Sequence, residues 1–305
     1  MLWTEKYRPV KLSQIVGQPA FVMDAEKWVE NPDDMMNVLL YGVAGVGKTA
    51  AAIALANEVL GDYKNGNFFE INASDDRRLD TVRNQIKEIA STQCIGDAPF
   101  KLILLDEMDG MTKDSQNALK RIMERYADNC RFIMTANEKF RIIYPLQSRC
   151  ANYRFRRITD ENVMAVLVDI LDQEGHNNRY TVDDLITFIS HLHGDLRRGI
   201  GELQASINSD STLTHQIEKS LEPYTALMIN LNSNDHENSI EGVHKLIQNS
   251  VTMKEVCVNL HDVVLKTDME SQKKFKMLRV IGEAEWRSSN MTPKVLASWM
   301  IGQLV

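Results

Sequence analysis

A short segment between residues 42 and 49 carries residue types that bind phosphate. It consists of Gly42, Val43, Ala44, Gly45, Val46, Gly47, Lys48 and Thr49, which matches the pattern G-x-x-x-x-G-K-[ST] in full. Its glycines let backbone N–H groups converge on phosphate oxygens, and the following helix presents its positive end to them. Lys48 would bridge the terminal phosphates and Thr49 would offer its hydroxyl to Mg²⁺. The motif predicts an ATP site. A plain glycine-rich turn, the alternative, would not require the lysine and the threonine.

Two carboxylates follow a second apolar run, LILL, at residues 102–105. A buried strand that ends in Asp106 and Glu107 has the form of a Walker B element. Asp106 is predicted to hold the Mg²⁺ shell, and Glu107 to orient the attacking water or accept its proton. Asp109 and Asp114 leave open an acidic helix N-cap. The upstream phosphate motif favours ATP hydrolysis.

The elements that must position these residues follow from the apolar pattern of the first half. Short apolar runs alternate with helical segments, which is typical of a parallel sheet wrapped by helices. The helices predicted after the first three strands span 49–60, 79–91 and 113–126. The predicted strands span 38–41, 68–72, 101–106 and 131–136. The sequence therefore predicts an α/β core.

From about Ile158 onward the apolar spacing is helical. Turn-like breaks are predicted at 174–179, 208–211 and 232–238. These breaks predict three domains, with the last boundary near Pro223. The predicted domains are an ATP-binding core at 1–157, a small helical lid at 158–222 and an all-helical C-terminal domain at 223–305.

Composition limits the classes of protein that fit. The chain has 305 residues, of which 44% are hydrophobic and 25% charged, as expected for a globular protein. The net charge of −7 argues against a protein that simply coats nucleic acid, so any such contact must be local. No segment reaches the roughly 20 apolar residues of a membrane-spanning helix. We expect no membrane partner and a cytoplasmic location, or a nuclear one in a eukaryote.

Cysteine and histidine usage predicts neither disulfides nor a structural metal. The four cysteines are widely spaced and form no C-x-x-C pair, which favours reduced thiols. His191 and His193 lie two residues apart and would point to different faces of a helix, a poor geometry for a metal.

Further segments resemble the small subunits of replication factor C, the AAA+ ATPases of sliding-clamp loaders. Residues 3–9 (WTEKYRP) and 15–18 (IVGQ) resemble the opening of that family. Its later motifs follow in the same order, at 72–77 (NASDDR), 116–119 (QNAL), 147–150 (QSRC) and 194–198 (GDLRR). The resemblance extends through Leu203 and more loosely to the end, where IGE at 281–283 is similar to the collar domain. It implies an AAA+ P-loop core, a small helical lid and a helical collar.

The resemblance also implies roles in the ATP site. Tyr7, Arg8, Val16 and Gly17 would line the adenine pocket. Asn137 would be a sensor that positions water near the γ-phosphate, although an asparagine after a strand is otherwise a common turn former. An amide can hold both a water and a phosphate oxygen.

The same resemblance implies roles for three arginines. Arg149 would act as an arginine finger in the ATP site of the neighbouring subunit. Arg197 would be a second sensor on the lid that contacts the γ-phosphate, with Arg198 as the competing candidate. A solvated basic helix face is the alternative for the lid pair.

The partners implied by the resemblance are a sliding clamp, primer-template DNA, a large subunit and other copies of the small subunit, in a ring of five held by the collar. Basic residues at the inner wall would follow the DNA phosphates, which positions the protein without reading sequence. They are Arg77, Arg78, Arg83 and Lys87. A solvated helix face is the alternative here, because acidic residues in the same stretch dilute the charge.

One departure from the family pattern lies within the phosphate motif. The family usually has two prolines and a threonine where this chain has Val43, Ala44 and Val46. The change is expected to alter affinity or rate and to leave the activity class unchanged. The alternatives to a clamp loader are another AAA+ ring that remodels DNA and a nucleotide-binding structural subunit of such a ring.

Overall fold

The computed structural model describes residues 1–73, 79–233, 235–248 and 251–304, with backbone alone for 79–83 and 214–221. The chain divides into two compact units, Met1–Asp210 and Ser211–Val305. Within the described ranges, no helix combines the length and the apolar character needed to cross a membrane.

A five-stranded parallel sheet forms the centre of the first unit, in the order β2-β3-β4-β1-β5. The central strands β3 and β4 are almost wholly buried, which explains their continuous apolar sequence. The strands are Asn37–Tyr41 (β1), Phe68–Asn72 (β2), Lys101–Asp106 (β3), Cys130–Ala136 (β4) and Cys150–Arg154 (β5). The first four confirm the predicted strands, whereas β5 was not predicted. Strand β5 lies at the edge of the sheet, and more buried and more exposed residues alternate along it. It therefore contains polar residues and lacks the apolar run by which the other strands were predicted.

Nine α-helices of the described chain belong to the first unit. They are Trp3–Lys6 (α1), Pro19–Glu30 (α2), Lys48–Leu60 (α3), Leu79–Ser91 (α4), Lys113–Arg125 (α5), Tyr144–Gln147 (α6), Asp160–Gln173 (α7), Val182–Ser190 (α8) and Leu196–Asn208 (α9). The helices predicted after the first three strands are confirmed as α3, α4 and α5.

Successive residues of β3 point to opposite faces of the sheet and so enter different cores. Leu102 and Leu104 pack with α2 and α3, and Ile103 and Leu105 pack with α4 and α5. The alanine-rich sequence of α3 lets this helix lie close to the sheet, and most of its alanines are fully buried. This rigid layering fixes the carboxyl ends of β1, β3 and β4 at one edge, where Gly42, Asp106 and Asn137 lie close to those ends.

The segment predicted to form the lid is helical and consists of α7, α8 and α9. Thr159 and Thr181 cap the first two helices by accepting hydrogen bonds from backbone N–H groups. Asp195 caps α9 in the same way, through the backbone N–H of Arg198 at 3.0 Å. These caps fix where each helix begins, which matters most for Asp195 because it lies beside the phosphate loop.

The second unit is helical throughout the part of the chain that is described. Its core packs apolar residues such as Leu260, Ala284 and Met300. The helices are Leu213–Asn232 (α10), His236–Gln248 (α11), Met253–Lys266 (α12), Ser271–Arg287 (α13) and Pro293–Leu304 (α14). Pro223 lies inside α10, and the two compact units divide ahead of that helix. The three-domain division predicted from the sequence stays a prediction.

Burial makes three of the four cysteine thiols unreactive. It raises the pKa of Cys130 to about 11. It likewise raises the pKa values of Cys150 and Cys257 to about 12. A thiol with such a pKa stays protonated at neutral pH, so these side chains serve in packing.

Candidate functional site

The phosphate loop connects β1 to α3 and depends on glycine at two positions. Gly42 and Gly45 have φ values of 153° and 76°. A Cβ added at Gly42 would lie 2.1 Å from the carbonyl oxygen of Phe155. A Cβ added at Gly45 would lie 2.0 Å from Oδ1 of Asp195, the residue that caps the lid helix α9. The loop is therefore packed between the end of the sheet and the beginning of a lid helix.

Lys48 is directed into the mouth of this loop and is only 8% exposed. Its Nζ donates to the carbonyl oxygens of Gly42 and Val43, at 2.7 and 2.8 Å, and to Oδ1 of Asn137 at 3.0 Å. Burial lowers the pKa of Lys48, while the nearby carboxylates of Asp109, Asp106 and Glu107 act in the opposite direction. The ammonium is thus held among neutral acceptors that phosphate oxygens, which carry negative charge, can replace with stronger hydrogen bonds.

A hydroxyl and a carboxylate lie together beside the lysine. Oγ1 of Thr49 donates to both oxygens of Asp106, at 3.1 and 3.2 Å. The hydroxyl of Thr135, on the neighbouring strand β4, donates to Oδ1 of the same carboxylate. Hydroxyl and carboxylate oxygens are the ligands that Mg²⁺ prefers, so the residues present fit this cation.

Glu107 follows β3 in a left-handed conformation, with φ 55° and ψ 43°. Such a backbone costs a residue with a side chain about 1–2 kcal/mol. The backbone N–H of Glu107 donates to Oγ1 of Thr135 at 3.1 Å, which holds the turn in place. The turn leaves the Glu107 side chain exposed, next to the partly buried Asp106–Thr49 pair.

Asn137 connects the end of β4 to the phosphate loop. Its Oδ1 accepts from Lys48, and its backbone N–H donates to Oδ1 of Asp109 at 3.2 Å. An amide used only to form a turn would not need to reach the lysine at the start of α3. The structure therefore brings Lys48, Thr49, Asp106 and Asn137 together at one end of the sheet.

The residues predicted to contact adenine lie on the N-terminal segment. Oη of Tyr7 donates to Oε1 of Glu174 at 2.7 Å, and Arg8 pairs with Glu5 at 3.5 Å. Val16 and Gly17 precede Gln18, whose side-chain amide forms two hydrogen bonds with the backbone of Arg156, at 2.9 and 3.1 Å. This segment therefore lies against the connection from β5 into the lid.

Arg149 lies at the other end of the sheet. The next residue, Cys150, pairs with Asn37 at the start of β1, whereas the phosphate loop begins after the end of that strand. The length of β1 separates the two ends by about 13 Å. Nη1 of Arg149 donates to the carbonyl oxygen of Pro145 at 2.7 Å, and Nη2 pairs with Glu124. Its backbone position keeps Arg149 away from the loop of its own chain.

The two lid arginines differ in their contacts. Nε of Arg198 donates to Oε1 of Glu202 at 2.7 Å, within α9. Arg197 is exposed in the first turn of the same helix, whose cap lies beside Gly45. Arg198 is therefore paired within its own helix, whereas Arg197 is exposed close to the cap that lies beside Gly45.

The predicted DNA contacts are described only in part. Arg77 and Arg78 lie outside the described residues, and so does the side chain of Arg83, whose backbone belongs to α4. Lys87 is exposed on the same helix.

Comparison with known proteins identifies the family. Residues 38–158 match the ATPases associated with various cellular activities (AAA). A Replication factor C small subunit of Methanococcus maripaludis is 36% identical over 292 residues, which cover 93% of this chain and 92% of that protein. A relative of the same name from Methanoregula boonei is 38% identical, with coverages of 94% and 91%. The chain belongs to the replication factor C small-subunit family.

As a member of this family, the chain is an AAA ATPase and a subunit of a clamp loader. Among solved structures it is similar to the Holliday junction branch migration motor RuvB of Thermotoga maritima. The TM-score is 0.55 at 15% identity, and the match covers 75% of this chain and 80% of that one. At this identity the likeness shows the fold alone.

The altered positions of the phosphate loop are accommodated in two ways. Val46 is buried within the core cluster beneath the loop, whereas Val43 is 42% exposed and Ala44 is also exposed. The buried Val46 side chain packs the loop against the core. The side chains of Val43 and Ala44 point into solvent, and the backbone carbonyl oxygen of Val43 accepts a hydrogen bond from Lys48. The loop therefore keeps its contact with Lys48 without prolines at positions 43 and 44.

Thr135 was missed by the sequence prediction, although it bonds to both Asp106 and the backbone of Glu107. A single threonine inside a buried strand has no distinctive spacing. A usable signal was its place two residues before Asn137, on the strand predicted to end at the site.

We expect Gly45→Ala to weaken nucleotide binding by displacing the lid helix α9. The added Cβ would collide with Asp195, and the positive φ would cost about 1–2 kcal/mol. Titration with ATP would measure the affinity, and thermal unfolding would measure the stability. Gly61→Ala is the matched control, since Gly61 has a φ of 50° and an added Cβ there meets nothing within 4 Å. Equal losses of ATP affinity in both variants would contradict a role for the contact with Asp195.

Proposed function

We propose that this clamp-loader ATPase binds ATP with Mg²⁺ at the phosphate loop and works in a five-subunit ring that places a sliding clamp on primer-template DNA. The observation that carries the proposal is the separation of two sets of groups. Lys48, Thr49, Asp106 and Asn137 meet at one end of the sheet, and Arg149 lies at the other. A site of this kind needs a neighbour to complete it.

Within one chain, the residues divide the work of hydrolysis. Lys48 and the loop N–H groups hold the terminal phosphates, and Thr49 and Asp106 would hold Mg²⁺, which withdraws charge from the phosphate oxygens. Glu107 accepts a proton from the attacking water, whose oxygen forms a bond to the γ-phosphorus. The bond from that phosphorus to the β–γ bridging oxygen breaks, and ADP leaves with phosphate. Asn137 orients the water.

Negative charge that remains on the γ-phosphate oxygens is neutralised by two arginines that lie outside the phosphate loop. Arg149 would enter the site of the adjacent subunit, because its own phosphate loop lies beyond the length of β1. A cleft of about 860 Å³ opens beside the loop, lined in part by Gly42, Val43 and Asn137, and offers a route of entry. Arg197, at the beginning of α9, would contact the γ-phosphate from the lid of the same chain.

The proposed partners are the sliding clamp, a large subunit and further copies of this chain. The curated relatives carry the name of a replication factor, which favours this assembly over another AAA+ ring. The retained Glu107, Asn137 and Arg149 favour hydrolysis over a purely structural role. In the ring, Lys87 on α4, together with Arg77, Arg78 and Arg83, would follow the phosphates of primer-template DNA.

The test is ATP hydrolysis by the isolated chain and by the assembled ring. We expect very low turnover from the chain alone, because no second chain supplies Arg149, and higher turnover after assembly with the large subunit. Addition of sliding clamp and primed DNA should raise the rate further. Stimulation by a four-way DNA junction in place of clamp and primed DNA would contradict the proposal. Equal turnover before and after assembly would contradict the shared site.

A further inference from the structure

The N-terminal segment is attached to the lid by its first helix. The backbone N–H of Trp3 donates to Oε1 of Gln204 at 2.9 Å, and Nε2 of Gln204 donates to the carbonyl oxygen of Met1 at 3.0 Å. Trp3 is 7% exposed. A Cβ added at Gly201 would lie 3.8 Å from Cγ2 of Thr4, so α1 packs directly along the lid helix α9.

A second attachment lies at Glu174, immediately after the lid helix α7. Its Oε1 accepts from Oη of Tyr7 and from Nζ of Lys6, both at 2.7 Å. The bond from Lys6 is the main cause that lowers the pKa of Glu174, so this side chain is a carboxylate at neutral pH. The Trp3 ring meets the Tyr7 ring edge to face, with centroids 6.2 Å apart. Tyr7 is therefore fixed at its ring by Trp3 and at its hydroxyl by the lid.

We infer that Glu174 is a positioning residue for recognition of the nucleotide base. The inference rests on the proposed contact of Tyr7 with adenine. Because Tyr7 is bonded to the lid, this wall of the base pocket moves with the lid, while Lys48 and Thr49 stay with the sheet. The lid also meets the phosphate loop, where Asp195 lies beside Gly45. One movement of the lid would thus close the site around the base and the phosphates together.

The alternative role for Glu174 is purely structural, as an attachment for the N-terminus. The two roles differ in which ligand they affect. A structural loss would weaken binding of the phosphate chain and of the complete nucleotide alike. A loss of positioning would weaken only ligands that carry a base.

The experiment measures equilibrium binding of ATP and of inorganic tripolyphosphate, a probe without a base, to the full-length chain. We expect Glu174→Ala to weaken ATP binding about tenfold, as for one charge-assisted hydrogen bond, and tripolyphosphate binding less than about twofold. Glu174→Gln keeps an acceptor for Tyr7 and should fall between the alanine variant and the unchanged chain. Asp210→Ala is the matched control, since it removes the lid ion pair with Arg179, at 2.8 Å.

Tyr7→Ala separates failure of this inference from failure of the proposed adenine pocket. If Tyr7→Ala weakens ATP selectively and Glu174→Ala does not, Tyr7 contacts the base without help from the lid and the inference is wrong. If Tyr7→Ala leaves the ratio of ATP to tripolyphosphate affinity unchanged, the adenine role of Tyr7 fails, and the inference with it. Equal weakening of both ligands by Glu174→Ala assigns Glu174 the structural role.

Discussion

Replacing Arg149 with alanine is expected to lower ATP hydrolysis by the assembled ring about 10³- to 10⁵-fold, the range found for arginine fingers. A guanidinium spreads positive charge over the oxygens of the phosphoryl group as it transfers, and it does so more in the transition state than in bound ATP. Nucleotide binding should therefore persist. Steady-state turnover and equilibrium binding of ATP measure the two quantities separately.

The control for this prediction is Arg125→Ala, which removes an exposed arginine from the same helix as Glu124, the partner of Arg149. A mixing experiment tests action between chains. Rings assembled from Lys48→Ala and Arg149→Ala chains together should recover turnover wherever an intact Lys48 faces an intact Arg149. If Arg149→Ala abolishes ATP binding instead, the arginine belongs to the site of its own chain.

The second large effect is expected for Glu107→Gln, which should lower hydrolysis about 10²- to 10⁴-fold, as for loss of a general base. Glutamine keeps the size of the side chain and cannot accept the proton of water. Because Lys48, Thr49 and Asp106 remain, ATP binding should be retained. The ring should still place clamp on primed DNA and then fail to release it, which pull-down of clamp with immobilised DNA would show.

Glu138→Gln is the matched control for the second prediction. Glu138 lies one residue after Asn137 and pairs with Arg141 at 2.6 Å. It is therefore a carboxylate close to the ATP site in sequence, but it does not follow β3 as Glu107 does. Its substitution should leave turnover within about twofold, as is usual for exposed ion pairs. Unchanged turnover in Glu107→Gln would remove Glu107 from the proposed role.

The central part of this fold was predictable because burial on both faces leaves a plain signal. Strands β3 and β4 are apolar along almost their whole length, and the phosphate motif is contiguous, so periodicity and spacing place both. Strand β5 was missed for the opposite reason. As an edge strand with alternating burial, it has no apolar run that distinguishes it from a loop.

Contacts between residues far apart in sequence were not predictable. Tyr7 and Glu174 are separated by 167 positions, and neither residue type indicates the other. The hydroxyl of Thr135 likewise has a partner only because the sheet places β4 beside β3. Spacing reports which residues share one element, whereas the pairing of elements decides which side chains meet across them.

The register between β1 and β5 makes each subunit directional. In the proposed ring, one end of the sheet receives an arginine from a neighbour and the other end offers one, so the subunits would associate head to tail. A closed circle of such subunits satisfies every site. In an open arc, the subunit at one end has an ATP site that receives no arginine from a neighbour. The subunit at the other end has an Arg149 that reaches no ATP site. In the proposed ring of five, a gap wide enough to admit DNA would therefore leave one ATP site without its arginine finger. That site would not hydrolyse ATP, and its position in the ring would mark the gap.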